Sequence, residues 1–291
     1  MKLKLKESLR KGNPSLNDKG YFDSYKDNIF RHEMDEEFQK MFDNGRGGEL
    51  HSKAEAIHSS SMLSYNIFHI IKKNPITFRG ITYYDVLFEV KLQTIKGSPA
   101  PANMDVVLIG KKGGKMHLMF IESKFLEYVN NKKSELSESY SNKNKWLVTN
   151  VDWIKIIKAQ PMTKGYHEGI KQAITHLFGI HSFLLKNNVS ELKFVDKEKT
   201  SFEFVNMIYE PDNSYEEFES YEKYKTLFNE FVKKIKDTNG LQIIPQWVSY
   251  SEWWKDTNEQ YPEELRSYIY KRYMQYAKKN ITIYDTLESL Y

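Results

Sequence analysis

Two short segments carry most of the chemistry this chain can offer. One is Met104-Asp105-Val106-Val107-Leu108-Ile109, with a single acid in an apolar run; the other is Met119-Phe120-Ile121-Glu122-Ser123-Lys124-Phe125. Charged residues embedded in such runs are costly unless something pairs with them. Residues two apart on a strand share a face, so Glu122 and Lys124 point together and Ser123 points away. Between the segments lies Gly110-Lys111-Lys112-Gly113-Gly114-Lys115, and a Gly-Gly pair suits the positive φ angles of a two-residue hairpin turn. A turn there places Asp105 directly opposite Glu122, with Cβ atoms about 5 Å apart, close enough for two carboxylates to share one metal ion. Without a cation they would repel, and the adjacent lysine can orient or deprotonate a water, or stabilise charge on a phosphate. The competing reading is a partly buried Asp–Lys ion pair with no ion. Glu-X-Lys also occurs at Glu89-Val90-Lys91 and Glu191-Leu192-Lys193, so the strand context singles out Glu122 rather than the tripeptide itself.

The elements that must position these residues are readable from periodicity. A helix is expected over 35–42. After the break at Gly45-Arg46-Gly47-Gly48, a second is expected over 59–71, opened by the hydroxyls of Ser59, Ser60 and Ser61. Strands are expected over 85–94, 104–109 and 116–125, followed by a polar loop over 128–145. A helix over 168–185, a strand over 202–209, an amphipathic helix over 221–236, a strand over 241–250 and a helix over 263–279 complete the reading. That order suggests an α/β fold, with residues 1–45 as a polar, partly helical extension and 46–291 as one domain.

These residues resemble the PD-(D/E)XK, or restriction-endonuclease-like, nuclease superfamily. Pro101-Ala102-Asn103-Met104-Asp105-Val106-Val107 and Ile121-Glu122-Ser123-Lys124-Phe125 follow its signature in order, with the proline four residues before the Asp rather than adjacent. The resemblance covers roughly half the chain. It implies an αβββαβ core with a mixed sheet flanked by helices over about 49–209, and an extra C-terminal strand and helices over 210–291. It also implies a metal-dependent nuclease hydrolysing phosphodiester bonds in DNA. The segment from Gly48-Glu49 to Ser61, taken with the two strands, looks more like bacterial restriction-type nucleases than repair exonucleases, which implies a restriction or defence-type endonuclease. Carried over, Asp105 and Glu122 would bind Mg²⁺ (Mn²⁺ can substitute), the Ser123 carbonyl would add a ligand, and Lys124 would assist the attacking water. An additional acid from the helix before the sheet would be Glu49, with Glu55 and Glu89 behind it. Gln172 takes the place of the polar residue that supports the site from the following helix.

Composition sets the outer limits. The chain has 291 residues, enough for a large core, and its 43 basic against 39 acidic residues lean only slightly toward polyanions. With no cysteine, disulfides, thiolate zinc sites and cysteine nucleophiles are excluded, and a reducing cytoplasm is the expected location. No apolar run reads as a signal sequence or a membrane span. His176 and His181 are five apart and diverge around a helix, so they read as surface or core histidines. His51 and His58 suit a phosphate contact or a capping or packing role. Trp247, Trp253 and Trp254 read as core residues that could also stack on bases. DNA is the expected partner, and cutting both strands would favour a homodimer. Two alternatives remain: a catalytically silent nucleic-acid-binding protein on the same fold, and an RNA-directed nuclease. A paired-carboxylate glycosidase is disfavoured by the lysine beside the carboxylates.

Overall fold

The computed structural model describes residues 2–13, 15–45, 50, 53–98, 101–129, 135–161, 167–186 and 189–278. Its centre is a six-stranded mixed sheet in the order β1-β2-β3-β4-β5-β6. The strands are β1 (Ile76–Phe78), β2 (Ile81–Leu92), β3 (Ala102–Lys112), β4 (Lys115–Lys124), β5 (Thr200–Ile208) and β6 (Pro245–Ser249). The first four form an antiparallel meander, whereas β4, β5 and β6 run parallel. Before the sheet come α1 (Leu5–Lys11), α2 (Glu36–Asn44) and α3 (Ser60–Phe68). After β4 come α4 (Trp153–Lys158) and α5 (His167–Lys186); α6 (Glu217–Ile235) connects β5 to β6, and α7 (Tyr250–Thr257) and α8 (Glu263–Arg272) follow. Long helices between parallel strands are what such crossovers require. Among the described residues, no helix is long and apolar enough to cross a membrane.

The hairpin forms as its sequence dictates. Gly113 and Gly114 have φ of 56° and 81°, a pair of positive values that L-residues with a Cβ resist. Lys112 therefore pairs with Lys115, and the register runs unbroken to Val106 opposite Ile121. Asp105 and Glu122 lie one step beyond that pair, at the open end of the hairpin.

Helix α3 begins where the serines indicated: the Ser59 hydroxyl accepts the Met62 amide at 3.3 Å, capping an otherwise orphaned donor. The helix is tied to the back of β4, because the Ser123 hydroxyl bonds the Ser60 carbonyl at 3.2 Å and the Tyr250 hydroxyl at 2.6 Å. Helix α5 lies on the front face, where Gly179 allows close approach: a Cβ there would stand 2.6 Å from Leu92 Cβ. Gly179→Ala is expected to force this helix off β2 and cost about 1–3 kcal/mol, read as a lower midpoint in urea unfolding. An unchanged midpoint would mean that α5 is not seated by that contact.

Several sequence expectations need correcting. The strand expected over 241–250 is shorter, because Ser249 ends β6 and caps α7, its hydroxyl accepting the Glu252 amide at 3.1 Å. The helix expected from 263 ends at Arg272 and gives way to a 3₁₀ turn at Met274–Tyr276. Strand β1 and helices α1, α4 and α7 were not anticipated. From residues 1–45, Leu5, Leu9, Phe38 and Phe42 lie in the same core as the sheet. Phe42 stacks on Phe88 of β2 with centroids 5.2 Å apart, and Leu3 bridges Tyr215.

Candidate active site

The open end of the hairpin faces a cleft of about 280 Å³ lined by Lys53, Ser60, Ser61, Asp105, Lys124, Glu127, Tyr128, Glu168, Gly169, Gln172 and Tyr224. Four elements meet there. The β3–β4 hairpin supplies Asp105 and Lys124, the segment after β4 supplies Glu127 and Tyr128, and the start of α3 supplies Ser60 and Ser61. The first turns of α5 supply Glu168, Gly169 and Gln172. Glycine is required at 169, since a Cβ there would fall 2.0 Å from the Tyr224 hydroxyl.

Glu122 is buried beneath the cleft. Its Oε1 accepts from Lys124 Nζ at 2.5 Å. Its Oε2 lies 2.6 Å from Nε2 of His176 on α5, yet it is a buried oxygen without an aligned hydrogen bond. Burial pushes the Glu122 carboxyl up, but Lys124 and His176 outweigh it and hold the pKa down at about 2. For Lys124, burial lowers the pKa, and the charges of Glu122 and Asp105 more than reverse this, raising it above the ordinary lysine value.

Asp105 is in the opposite condition. Half-buried at the cleft edge, it accepts the Ser123 amide on Oδ2 at 2.7 Å. Burial, and then the charge of Glu122, push its pKa well above the usual carboxylate range, with Glu89 adding to the repulsion. Glu89 of β2 lies between the pairs Phe88–Val106 and Val90–Met104, in the row that continues to Asp105 and Glu122. It is buried, accepts from Asn103 Nδ2 at 3.1 Å, and has φ of 54°, a left-handed conformation that a glutamate adopts only under strain.

The structure thus brings Asp105, Glu122, Lys124 and Gln172 to one place, with Ser123 directly behind them. The Ser123 amide points toward β3, and in a strand the carbonyl of a residue points to the same neighbour as its amide, so this oxygen also faces the Asp105 side. Glu49 lies outside the described residues. Neither Glu55 nor Glu89 lines the cleft, although Glu89 acts on Asp105 through its charge. His176 is a core histidine, as one of the two readings of it had it, and it faces Glu122. His181 does not join it: its Nδ1 meets the Leu177 carbonyl at 2.9 Å and its Nε2 accepts the Gln242 amide at 3.1 Å. Glu127, Glu168 and Lys53 were not foreseen. For Glu168 and His176 a signal existed, since with Gln172 they recur every fourth residue along α5 and so share one helical face.

Lys124 lines the cleft yet is itself buried, its side chain only 10% exposed. It is the last residue of β4, and Glu127 and Tyr128, just after it in sequence, line the same cleft. Among the described residues, no group of three or more histidine or acidic side chains is arranged to hold a metal by itself. Comparison with protein-family models, curated proteins and solved structures finds no match to this chain, so the role of the cleft rests on its own geometry.

Proposed function

We propose that the chain is a divalent-metal-dependent phosphodiesterase acting on DNA, with the αβββαβ arrangement of α3, β2–β4, α5 and β5 as its restriction-endonuclease-like core. The observation that carries the reading is the position of Asp105 and Glu122 one step beyond the Val106–Ile121 pair, with Asp105 and Lys124 lining one cleft and Glu122 bonded to the lysine beneath it. The donor set fits a hard cation such as Mg²⁺. It comprises two carboxylates and a backbone carbonyl; Glu122 Oε2 faces His176 Nε2 at 2.6 Å but accepts no aligned hydrogen bond, and Asp105 is short of positive charge. Asp105, Glu122 and the Ser123 carbonyl would hold the ion, with waters completing its shell. When bound, it would lower the pKa of a water and offset charge on the phosphate.

The chain's own residues do the rest. Lys124, hydrogen-bonded to Glu122 and lining the cleft, orients the attacking water or stabilises negative charge on a phosphate oxygen. Gln172 and Glu168, on the rim, orient water or the substrate backbone. His176 holds Glu122 from below. Ser60 and Ser61 line the opposite wall.

A second reading is favoured by one observation: Lys124 and His176 already surround Glu122, which is what an ion network serving the fold alone would look like. Incubation with circular and linear DNA separates the two. The phosphodiesterase reading expects cleavage in Mg²⁺ or Mn²⁺, loss of cleavage in chelator and recovery when metal is returned. DNA left intact under every metal condition would favour the fold-only network.

A further inference from the structure

A second, larger cavity of about 560 Å³ adjoins the cleft, lined in part by Lys4, Lys6, Arg10, Lys19, Tyr21 and His58. The two share walls. Leu126 and Val129 line this groove while Glu127 and Tyr128, between them in sequence, line the cleft; His58 lies two residues before Ser60, which also lines the cleft. A chain leaving the cleft over residues 126–129 therefore enters the groove.

Its chemistry is that of a polyanion site with an apolar floor. Lys4, Lys6, Arg10 and Lys19 are all exposed, and among the described residues none of them is in an ion pair. Three acids also line it. Of these, Glu217 is already engaged, accepting the Leu5 amide at 2.9 Å, and the Arg10 guanidinium is steadied on the Asp18 carbonyl at 2.8 Å. The carboxylates of Glu7 and Asp18 remain as counter-charge. The Tyr21 and His58 rings meet edge to face with centroids 6.5 Å apart, and His58 Nδ1 is buried without a hydrogen-bond partner. Basic rims around aromatic and aliphatic walls hold single strands, because unstacked bases find π-faces while the backbone meets cations.

We infer that this groove docks a single strand of DNA leading away from the scissile phosphate. Lys4, Lys6, Arg10 and Lys19 meet successive backbone phosphates, and Tyr21 and His58 face the bases. The inference rests on the phosphodiesterase reading of the cleft, but binding can be measured without cleavage. The probe is a fluorescein-labelled single-stranded oligodeoxynucleotide in chelator, followed by anisotropy from 50 to 200 mM salt, with the same sequence as a duplex in a parallel arm. The variant combines Lys4→Ala, Lys6→Ala and Lys19→Ala. Its control removes the same charge elsewhere, with Lys158→Ala, Lys233→Ala and Lys234→Ala, all exposed.

The groove variant is expected to bind the single strand at least about tenfold more weakly, with the slope of log K against log salt smaller by about 2, as loss of three phosphate contacts implies. The control should stay near wild type, and duplex binding should fall less than single-strand binding. Equal losses in both triple variants, or a wild type that does not bind the single strand, would overturn the groove. The two ideas fail separately. DNA cleaved normally with unaltered single-strand binding in the groove variant would remove the groove alone. Strand binding that depends on the groove lysines, with no cleavage in any metal, would remove the phosphodiesterase alone.

Discussion

Asp105→Asn is expected to lower DNA cleavage by roughly three orders of magnitude, the scale of losing a preorganised electrostatic group at a reacting centre. The same protein should melt at an equal or higher temperature than wild type in chelator. The amide keeps the shape and can still accept the Ser123 amide now bonded to Oδ2 at 2.7 Å. It removes a charge that burial and Glu122 oppose. Because the folded-state pKa of Asp105 lies above the unfolded value, its ionised form works against folding. Its contribution to stability is fully present below the unfolded carboxylate pKa and is lost as pH rises through the raised value. Wild type should therefore gain stability from Mg²⁺ at neutral pH, where Asp105 is short of a cation, and Asp105→Asn should not. A substituted protein that cuts DNA normally would exclude Asp105 from the chemistry. One that melts much lower would make it a folding residue.

Lys124 is the second large effect, and its burial changes what is expected of it. A lysine at an exposed edge contributes little to stability, but this one is the 2.5 Å partner of a carboxylate that is itself buried. Lys124→Met should remove cleavage by at least about a hundredfold. It should also destabilise the fold by about 3–5 kcal/mol, because Glu122 is left buried with one cation fewer. Adding Glu122→Gln to Lys124→Met should recover most of the stability and none of the activity. Glu122 has the opposite pH signature to Asp105. Its folded pKa is depressed to about 2, so its contribution is present above the unfolded value of 4.5 and is lost as pH falls toward 2. Chemical denaturation of the single and double variants, with cleavage measured on the same samples, checks both parts. A double variant no more stable than the single would mean that the Glu122–Lys124 pair is not what the lysine serves.

The legibility of this site follows from which interactions are local. Gly113 and Gly114 determine the hairpin register, and register alone carries Asp105 to Glu122, so that pair could be deduced from the order of residues. The faces of β4 were equally plain: Ser123 turns to α3 and α7 while Glu122 and Lys124 turn to α5. What could not be read was depth. Nothing in Glu122-Ser123-Lys124 says that Glu127, Tyr128 and the start of α5 gather around the lysine in one cleft, so its burial is not legible there. His176 escaped because its spacing was weighed against His181, five residues on, rather than against Gln172, four residues before it on the same face. Ser249-Tyr250-Ser251-Glu252 carried a helix-capping pattern that the β-branched and aromatic run before it obscured. The N-terminal segment looked peripheral because its apolar residues are sparse, yet Leu5, Leu9, Phe38 and Phe42 are enough to seat it in the core.

The strained Glu89 fits the same account. A glutamate with φ of 54° in the middle of β2, buried in the row of Asp105, adds negative charge where charge is already in excess. Such a row has a physical rationale when a cation completes it. Anomalous scattering from a crystal soaked in Mn²⁺ tests that directly. The account predicts one peak between the Asp105 and Glu122 carboxylates, at coordination distance from both and from the Ser123 carbonyl, absent in Asp105→Asn. A crystal with no manganese there, and with Lys124 and His176 still closed on Glu122, would contradict it.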